Sequence, residues 1–140
     1  NHSFDHADLA TLSAEDVTSQ LSRTDEEIQN LVGHSATVVR PPYGSFNDTV
    51  AGIAARPLIM WSVDTLDWET QNADSTVQNV MDNAQDGAII LMHDIFKESV
   101  DAAEVFIPQL IQEGYQLVTV SELAAAKGIT LEAGTSYGAF

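Results

Sequence analysis

The chain has 140 residues, 44% of them apolar, with 5 basic and 21 acidic side chains and a net charge of −16. These values are typical of one globular domain, or most of one, and exclude a disordered chain. No apolar run approaches the roughly 20 residues of a membrane-spanning helix. The acidic excess argues against nucleic acid as a partner, because polyanions repel one another. It fits a neutral or cationic substrate, or it serves only to keep the protein soluble.

Cysteine is absent from the chain. Disulfides, thiolate nucleophiles and cysteine-ligated zinc are therefore excluded. This absence does not separate a cytoplasmic from a cell-surface protein, because a domain of this size can fold without disulfides in either place.

The first predicted element is a helix that begins after Ser13 and ends at Gly33. Serine is a good N-cap, and Glu15 and Asp16 follow in the first turn, where the helix dipole favours acids. Glycine is the usual residue just beyond a helix C-terminus. Apolar residues recur between the two ends at helical spacing, and they are Val17, Leu21, Ile28 and Leu31.

Two apolar runs and a short helix are predicted next. Residues 37–39 form a β-rich run that stops at the sequence RPP, since consecutive prolines cannot continue a central strand. Asn47 or Asp48 caps a short helix through residue 55. Residues 58–63 are a compact apolar run, which predicts a buried strand.

The second half of the chain continues this alternation. Helices are predicted over 74–84, 99–113 and 121–127, and buried strands over 88–92 and 115–120. The tail, 128–140, lacks periodicity and is expected to be loosely held. Because the strands are nearly all apolar, as strands covered on both faces are, the order predicts an α/β fold with a parallel sheet, open or closed into a barrel.

Polar residues stand at the carboxyl ends of three predicted strands. Residues 40–44 follow the first strand, residues 64–68 follow the second, and His93 and Asp94 follow the third. In parallel α/β folds, functional sites form at this edge of the sheet. Three such segments in succession therefore predict an active site.

His2 and His6 lie four residues apart at the start of the chain. On a helical turn they would share a face, and that geometry suits two imidazoles on one Zn²⁺ ion. The spacing is also that of two solvated side chains, and taken alone it favours this simpler explanation.

Arg40, Asp67 and His93 each have two explanations. Arg40 is either a surface residue or a guanidinium that orients a carboxylate. Asp67 either caps the next segment or pairs with His93, which is itself either a satisfied core histidine or a general acid. An Asp–His pair across neighbouring strand ends would hold the ring and favour its protonated form, which suits a general acid.

Four segments, in this order and spacing, resemble the polysaccharide deacetylases with a NodB-type domain, carbohydrate esterase family 4. They are HSFDH at 2–6, RPPYG at 40–44, DTLDW at 64–68 and LMHDI at 91–95. The resemblance extends over nearly the whole chain, up to residue 127. Within the family, the sequence most resembles the peptidoglycan N-acetylglucosamine deacetylases of the cell wall.

The resemblance implies a distorted (β/α) barrel that lacks its first strands and carries a metal in a groove at its top. His2 and His6 would be metal ligands, with Zn²⁺ as the expected metal and Co²⁺ or Mn²⁺ as alternatives. His93 would be the general acid, and Asp67 the carboxylate that tunes it.

The remaining site residues are also implied by the resemblance. Arg40 would hold the catalytic aspartate, and the backbone N–H of Tyr43 would help to stabilise the oxyanion. Leu91 would line the pocket for the acetyl methyl group, and Trp68 would stand on the wall of the groove.

The first motif of the family, Thr-Phe-Asp-Asp-Gly-Pro or similar, has no counterpart in the sequence. In the family it supplies the aspartate base and the third metal ligand. The resemblance therefore implies that residues 1–140 are the C-terminal portion of a single polysaccharide deacetylase catalytic domain. The missing N-terminal segment would be its partner, and the chain alone is expected to be inactive or very weak.

The implied reaction is hydrolysis of the N-acetyl group of N-acetylglucosamine in a polysaccharide such as peptidoglycan. The enzyme would be a metal-dependent hydrolase of carbon–nitrogen bonds other than peptide bonds, with an N-acetylated polysaccharide as partner and an extracellular or cell-surface location. The alternatives are an O-acetyl esterase on acetylxylan, a chitooligosaccharide deacetylase, a carbohydrate-binding remnant without catalysis and a fragment of a metal-free metabolic α/β enzyme.

Overall fold

The computed structural model describes residues 1–140 and contains six α-helices. In chain order they are α1 (Ala14–Val32), α2 (Asp48–Ala54), α3 (Asp67–Thr70), α4 (Ala73–Asn83), α5 (Lys97–Gln112) and α6 (Val120–Ala126). Leu9–Thr11 and Pro42–Gly44 are single 3₁₀ turns. None of the helices combines the length and the apolar character that crossing a membrane requires.

The chain divides by its internal contacts into two units. The first unit comprises Asn1–Met60 and Thr130–Tyr137, and the second comprises Trp61–Ile129 and Gly138–Phe140. Each unit has its own cluster of buried apolar side chains. The cluster of the first unit is Leu9, Val17, Leu21, Val39, Val50, Ala54 and Leu58, and that of the second is Val80, Ala102, Phe106 and Leu110.

Capping residues set the helix ends where the sequence predicts them. The Ser13 hydroxyl accepts a hydrogen bond from the Asp16 N–H, and Gly33 ends α1 in the left-handed region with φ 83°. Asn47 caps α2 through the Val50 N–H. The sequence predicts an apolar stripe along the whole of α1. Its C-terminal end does not face the core, since Leu31 is exposed.

The four strands are short, and both pairs are parallel, as predicted. In the first unit, β1 (Leu58–Ile59) pairs with β4 (Ser136–Tyr137). In the second unit, β2 (Val63–Asp64) pairs with β3 (Ile90–Leu91). The single strand predicted over 58–63 is therefore two strands, because its two ends hydrogen-bond to different partners.

Two other strand predictions and the prediction for the tail need correction. Of residues 37–39, only Val39 pairs, as an isolated bridge to Leu58. Of residues 88–92, only the two of β3 form a strand. The tail, expected to be loose, contains β4, and the Phe140 N–H donates to the Gly87 carbonyl at 3.0 Å.

The strand predicted over 115–120 is absent. Its central residues, 116–118, make no backbone hydrogen bond, and Leu117 and Val118 are 47% and 41% exposed. Thr119 instead caps α6 in a capping box with Glu122. An apolar pattern favours a strand, but the ladder needs a neighbouring strand, and residues 1–140 place none beside this segment.

Candidate functional site

The first unit brings both N-terminal histidines together with Tyr43. The ring centroids of His2 and His6 are 4.9 Å apart, and those of His6 and Tyr43 are 4.8 Å apart. The spacing of the two histidines suggested a helical turn, but the segment is not helical. It is an irregular loop in which Ser3 and His6 have φ values of 60° and 55°. Such left-handed conformations in residues other than glycine cost energy and concentrate at functional sites.

The tautomer of His2 is set by a backbone contact. Its Nδ1 lies 2.5 Å from the Arg40 carbonyl oxygen, which can only accept, so Nδ1 carries the proton and Nε2 is left with a free lone pair. A metal-binding histidine commonly donates its second ring N–H to a carbonyl in this way. Burial lowers the pKa of His2, and a metal ligand must be neutral.

Helix α1 holds the histidine loop through Gln20 and Arg23. The Gln20 side-chain carbonyl accepts from the N–H groups of Phe4 and Asp5 at 2.9 Å, and its amide donates to Asp5 Oδ2 at 2.8 Å. The Arg23 guanidinium lies 3.6 Å from the centre of the Phe4 ring and 3.6 Å from Asp5 Oδ2. Sequence reasoning missed both residues, since nothing in a helical pattern reveals what its polar face touches.

Arg40 lies in the same unit and is half-buried. Its Nε and Nη2 donate to the carbonyls of Ile59 and Met60 at 3.3 and 3.4 Å, and it forms no ion pair with any carboxylate of the chain. Burial lowers the pKa of its guanidinium. A partly desolvated cation with only weak carbonyl partners is suited to receive a carboxylate.

Tyr43 occupies the 3₁₀ turn after the two prolines with φ 60° and ψ 7°. The N–H groups of Gly44 and Ser45 donate back to the carbonyls of Pro41 and Pro42, whereas the N–H of Tyr43 has no acceptor in the structure. The turn therefore presents a free backbone donor at Tyr43, the residue whose ring contacts His6.

The metal site implied by the sequence fits these residues in part. His2 offers a free Nε2, His6 lies beside it, and the Ser3 hydroxyl between them in sequence is buried without a hydrogen-bond partner. No group of three or more His, Asp or Glu side chains could hold a metal ion on its own. The Asp5 carboxylate is already engaged by Gln20 and Arg23. The donor set thus supplies two of the three protein ligands that a catalytic Zn²⁺ requires.

The second unit brings Asp67 and His93 together, as the pairing hypothesis predicted. Asp67 starts α3 three residues beyond the end of β2, and His93 lies two residues beyond β3, so the parallel pairing of β2 with β3 aligns them. His93 Nδ1 lies 2.8 Å from Asp67 Oδ1, and the His93 N–H donates to Oδ2 at 2.7 Å. Asp67 is 0% exposed.

The charge state of Asp67 follows from its contacts. Burial raises the pKa of Asp67, but the hydrogen bonds from Ser99 and His93 outweigh that effect and leave the pKa below its ordinary value. An ionised carboxylate only accepts hydrogen bonds, so His93 Nδ1 must carry a proton. The proton that His93 can gain or lose is therefore the one on Nε2.

A pocket of about 440 Å³ adjoins this pair in the second unit. His93 and Ser99 line it together with Met92, Asp94, Val100 and Ala103. Leu91, predicted to line the acetyl pocket, is buried in β3 and accepts a hydrogen bond from the Thr65 hydroxyl at 2.8 Å. Trp68, predicted on a groove wall, has an exposed side chain. Its backbone N–H donates to Asp67 Oδ1.

Comparison with known proteins indicates the family of the chain. The family model for polysaccharide deacetylases matches residues 1–57. The peptidoglycan-N-acetylmuramic acid deacetylase PdaC of Bacillus subtilis is 42% identical over 91% of this chain and 27% of that protein. The peptidoglycan-N-acetylglucosamine deacetylase PgdA of Listeria monocytogenes is 39% identical over 98% of this chain and 29% of that protein. The chain thus spans less than a third of these relatives.

Solved structures show the same relationship. A deacetylase solved with substrate superposes with a TM-score of 0.93 and 38% identity over 98% of this chain and 68% of its own. A family 4 acetyl xylan esterase from Clostridium thermocellum, in complex with a cobalt ion, has a TM-score of 0.92 and 26% identity over 99% of this chain and 70% of its own. The chain belongs to the polysaccharide deacetylases, carbohydrate esterase family 4. The predicted α/β fold of the NodB type is confirmed.

Membership of this family does not by itself establish catalysis. A family pseudoenzyme from Bacillus anthracis is also similar, with a TM-score of 0.81 and 36% identity over 88% of this chain and 44% of its own. Whether this chain is catalytic depends on the chemistry of its side chains.

Proposed function

We propose that this chain is the part of a metal-dependent polysaccharide deacetylase that carries the general acid and two metal ligands, and that the enzyme removes N-acetyl groups from peptidoglycan. The observation that carries the proposal is the contact between His93 and the buried, ionised Asp67. The names of the two relatives refer to two sugars, N-acetylmuramic acid and N-acetylglucosamine. We propose N-acetylglucosamine as the substrate unit. Peptidoglycan lies outside the cytoplasmic membrane, so we further propose an extracellular or cell-surface location.

His93 acts as the general acid in this proposal. Hydrolysis of an amide expels an amine, which needs a proton because an amide anion is a very poor leaving group. Asp67 holds Nδ1 and stabilises the positive charge of the imidazolium, so Nε2 is the atom that donates the proton. A positioned acid of this kind typically contributes about 10²–10⁴-fold to the rate.

Tyr43 and Arg40 act on other charges of the reaction. The free N–H of Tyr43 stabilises the oxyanion, a contribution of about 10²–10³-fold for a comparable donor. Arg40, which has no carboxylate partner within residues 1–140, orients an aspartate base supplied from outside them. Leu91 contacts the acetyl methyl group, and Trp68 packs against the sugar.

His2 and His6 would hold the metal, for which we propose Zn²⁺, with Co²⁺ or Mn²⁺ as alternatives. When bound, a divalent metal polarises the acetyl carbonyl and activates water. Gln20 and Arg23 orient the two histidines by holding the loop between them. Because the third ligand and the base are not in the cluster, we expect residues 1–140 alone to deacetylate very slowly.

The test measures acetate release and metal affinity for three single-histidine variants. His93→Ala should lose at least 10²-fold in turnover yet keep its metal affinity, whereas His2→Ala should lose metal affinity in a calorimetric titration with Zn²⁺. His34→Ala is the matched control, because His34 is exposed and its ring contacts only the Ser35 carbonyl. Turnover is measured in the 140-residue chain and in its natural polypeptide with any preceding residues. Loss of metal by His93→Ala would contradict the assignment of the acid.

The similarity to an acetyl xylan esterase supports a second candidate, O-acetyl ester hydrolysis on acetylxylan with the same residues. Acetate release is measured in parallel on acetylxylan, on N-acetylglucosamine oligomers and on peptidoglycan. These assays distinguish ester hydrolysis from de-N-acetylation, and the oligomers also test for a chitooligosaccharide deacetylase. Acetate release from none of them, with polysaccharide binding intact, would instead favour a binding protein without catalysis; the family also contains a pseudoenzyme.

A further inference from the structure

Ser99 makes a buried contact with the proposed acid pair. It lies in the first turn of α5, is 2% exposed, and donates its hydroxyl proton to Asp67 Oδ2 at 2.7 Å. Neither the four sequence motifs nor the roles above include this residue.

Ser99 completes the hydrogen bonding of the Asp67 carboxylate. Oδ1 accepts from the Trp68 N–H at 2.9 Å and from His93 Nδ1 at 2.8 Å. Oδ2 accepts from the His93 N–H and from the Ser99 hydroxyl, both at 2.7 Å. A carboxylate has about four acceptor positions, and all are filled. Ser99 is the one donor that neither adjoins Asp67 in sequence nor belongs to His93.

The Ser99 hydroxyl makes no other hydrogen bond in the structure. Serine near a helix start usually bonds the helix backbone, but α5 has no side-chain cap and the Ser99 hydroxyl turns to Asp67 instead. Alanine differs from serine only in lacking the hydroxyl group and is the better helix former. A buried serine is therefore favoured here for its contact with the carboxylate.

We propose that Ser99 is a positioning residue, whose hydroxyl keeps Asp67 ionised and aimed at the His93 ring so that Nε2 remains the acid position. The proposal rests on the proposed role of His93 as the acid. No other ionisable side chain on the surrounding segments bonds Asp67, His93 or Ser99. The ionisable side chains on those segments are Glu69, Asp74, Asp94, Lys97, Glu98 and Asp101.

The test follows the titration of Asp67 and the tautomer of His93 by NMR in the folded 140-residue chain, so that it needs no turnover. Ser99→Ala should raise the titration midpoint of Asp67 by about one pH unit or more, a tenfold change in proton affinity, because a hydrogen bond to a charged group is lost. The ¹⁵N shifts of the His93 ring should show a growing share of the Nε2–H tautomer. Ser99→Thr, which keeps a hydroxyl, should restore both values.

The control is Thr76→Val, since Thr76 is a buried residue of α4 whose hydroxyl has no partner. Should Ser99→Ala unfold, Ser99→Cys replaces it, because a thiol of similar size is only a weak donor. A midpoint within 0.3 unit of the unmodified chain and an unchanged tautomer would overturn the proposal, even in an active enzyme. Altered NMR values, together with no acetate release by the natural polypeptide with any preceding residues, would refute the proposed function alone.

Discussion

Replacing Asp67 by asparagine tests the central contact of the second unit most directly. Asparagine has the shape of aspartate but exchanges one acceptor oxygen for an NH₂ donor. Four donors converge on the carboxylate, two on each oxygen. In either orientation of the asparagine amide, two of the four donors would face its NH₂ group instead of an acceptor oxygen.

The magnitude follows from which of these donors can adapt. With the NH₂ group at the Oδ2 position, the Ser99 hydroxyl can turn to accept, but the His93 N–H is left without a partner. With the NH₂ group at the Oδ1 position, the His93 ring can change tautomer, but the Trp68 N–H is left without a partner. Either way one backbone N–H is stranded at a site that is 0% exposed, at a cost of about 1–3 kcal/mol.

The three remaining contacts also weaken, since hydrogen bonds to a charged group are worth about 1.5–3 kcal/mol and neutral ones about 0.5–1.5. Relief from burying a charge offsets part of this loss. We therefore expect Asp67→Asn to reduce the free energy of unfolding by about 2–4 kcal/mol, a large part of the ~5–15 kcal/mol of a typical domain.

Urea unfolding at pH 7.5 measures this change, and the midpoint should fall by roughly 1–2 M for ordinary urea m-values. Asp94→Asn is the matched control, because Asp94 is exposed beside His93 and accepts no hydrogen bond, and its effect should stay within about 0.5 kcal/mol. A free energy of unfolding for Asp67→Asn within 0.5 kcal/mol of the unmodified chain would refute the reasoning that Asp67 is a fully engaged carboxylate.

Two further predictions concern acid stability and the C-terminus. The folded pKa of Asp67 lies below its unfolded value, so its contribution to stability is complete above the unfolded value near ~3.9 and is lost as pH falls through the folded value. Urea midpoints measured from pH 6 to pH 2 should fall on the acid side, and less steeply in Asp67→Asn; equal slopes would contradict this. Gly87→Ala should cost clearly more than Gly114→Ala, because both glycines have positive φ (90° and 95°) but only at Gly87 would a Cβ lie 1.9 Å from the Phe140 carbonyl oxygen. Gly114→Ala should lose about 1 kcal/mol from the backbone alone, and hydrogen exchange at the Phe140 amide should accelerate only in Gly87→Ala. Equal losses of stability would count against the contact.

Local chemistry made several elements predictable. Ser13 and Gly33 define α1 and Asn47 starts α2, because caps act over three or four residues and their signal is written in adjacent positions. The apolar run over 115–120 was as strand-like as the others, yet it forms no strand. Whether such a run pairs depends on another segment, which its own pattern does not encode.

The site shows the same division. His2, His6, Asp67 and His93 were recognisable because each lies in a short motif with residues that chemistry requires. Gln20, Arg23 and Ser99 were not, because their roles depend on contacts with Phe4, Asp5 and Asp67 that span 15 to 32 positions in sequence.

The sequence by itself determined both ends of α1, the start of α2, the parallel α/β class and the residues with chemical capability, since these depend on near neighbours and on composition. Only the tertiary structure decided which strands pair and which proton His93 can give. It also showed that one buried carboxylate gathers four donors. Those properties depend on distances between segments remote in sequence, and such distances are set by packing and hydrogen bonding of the whole fold.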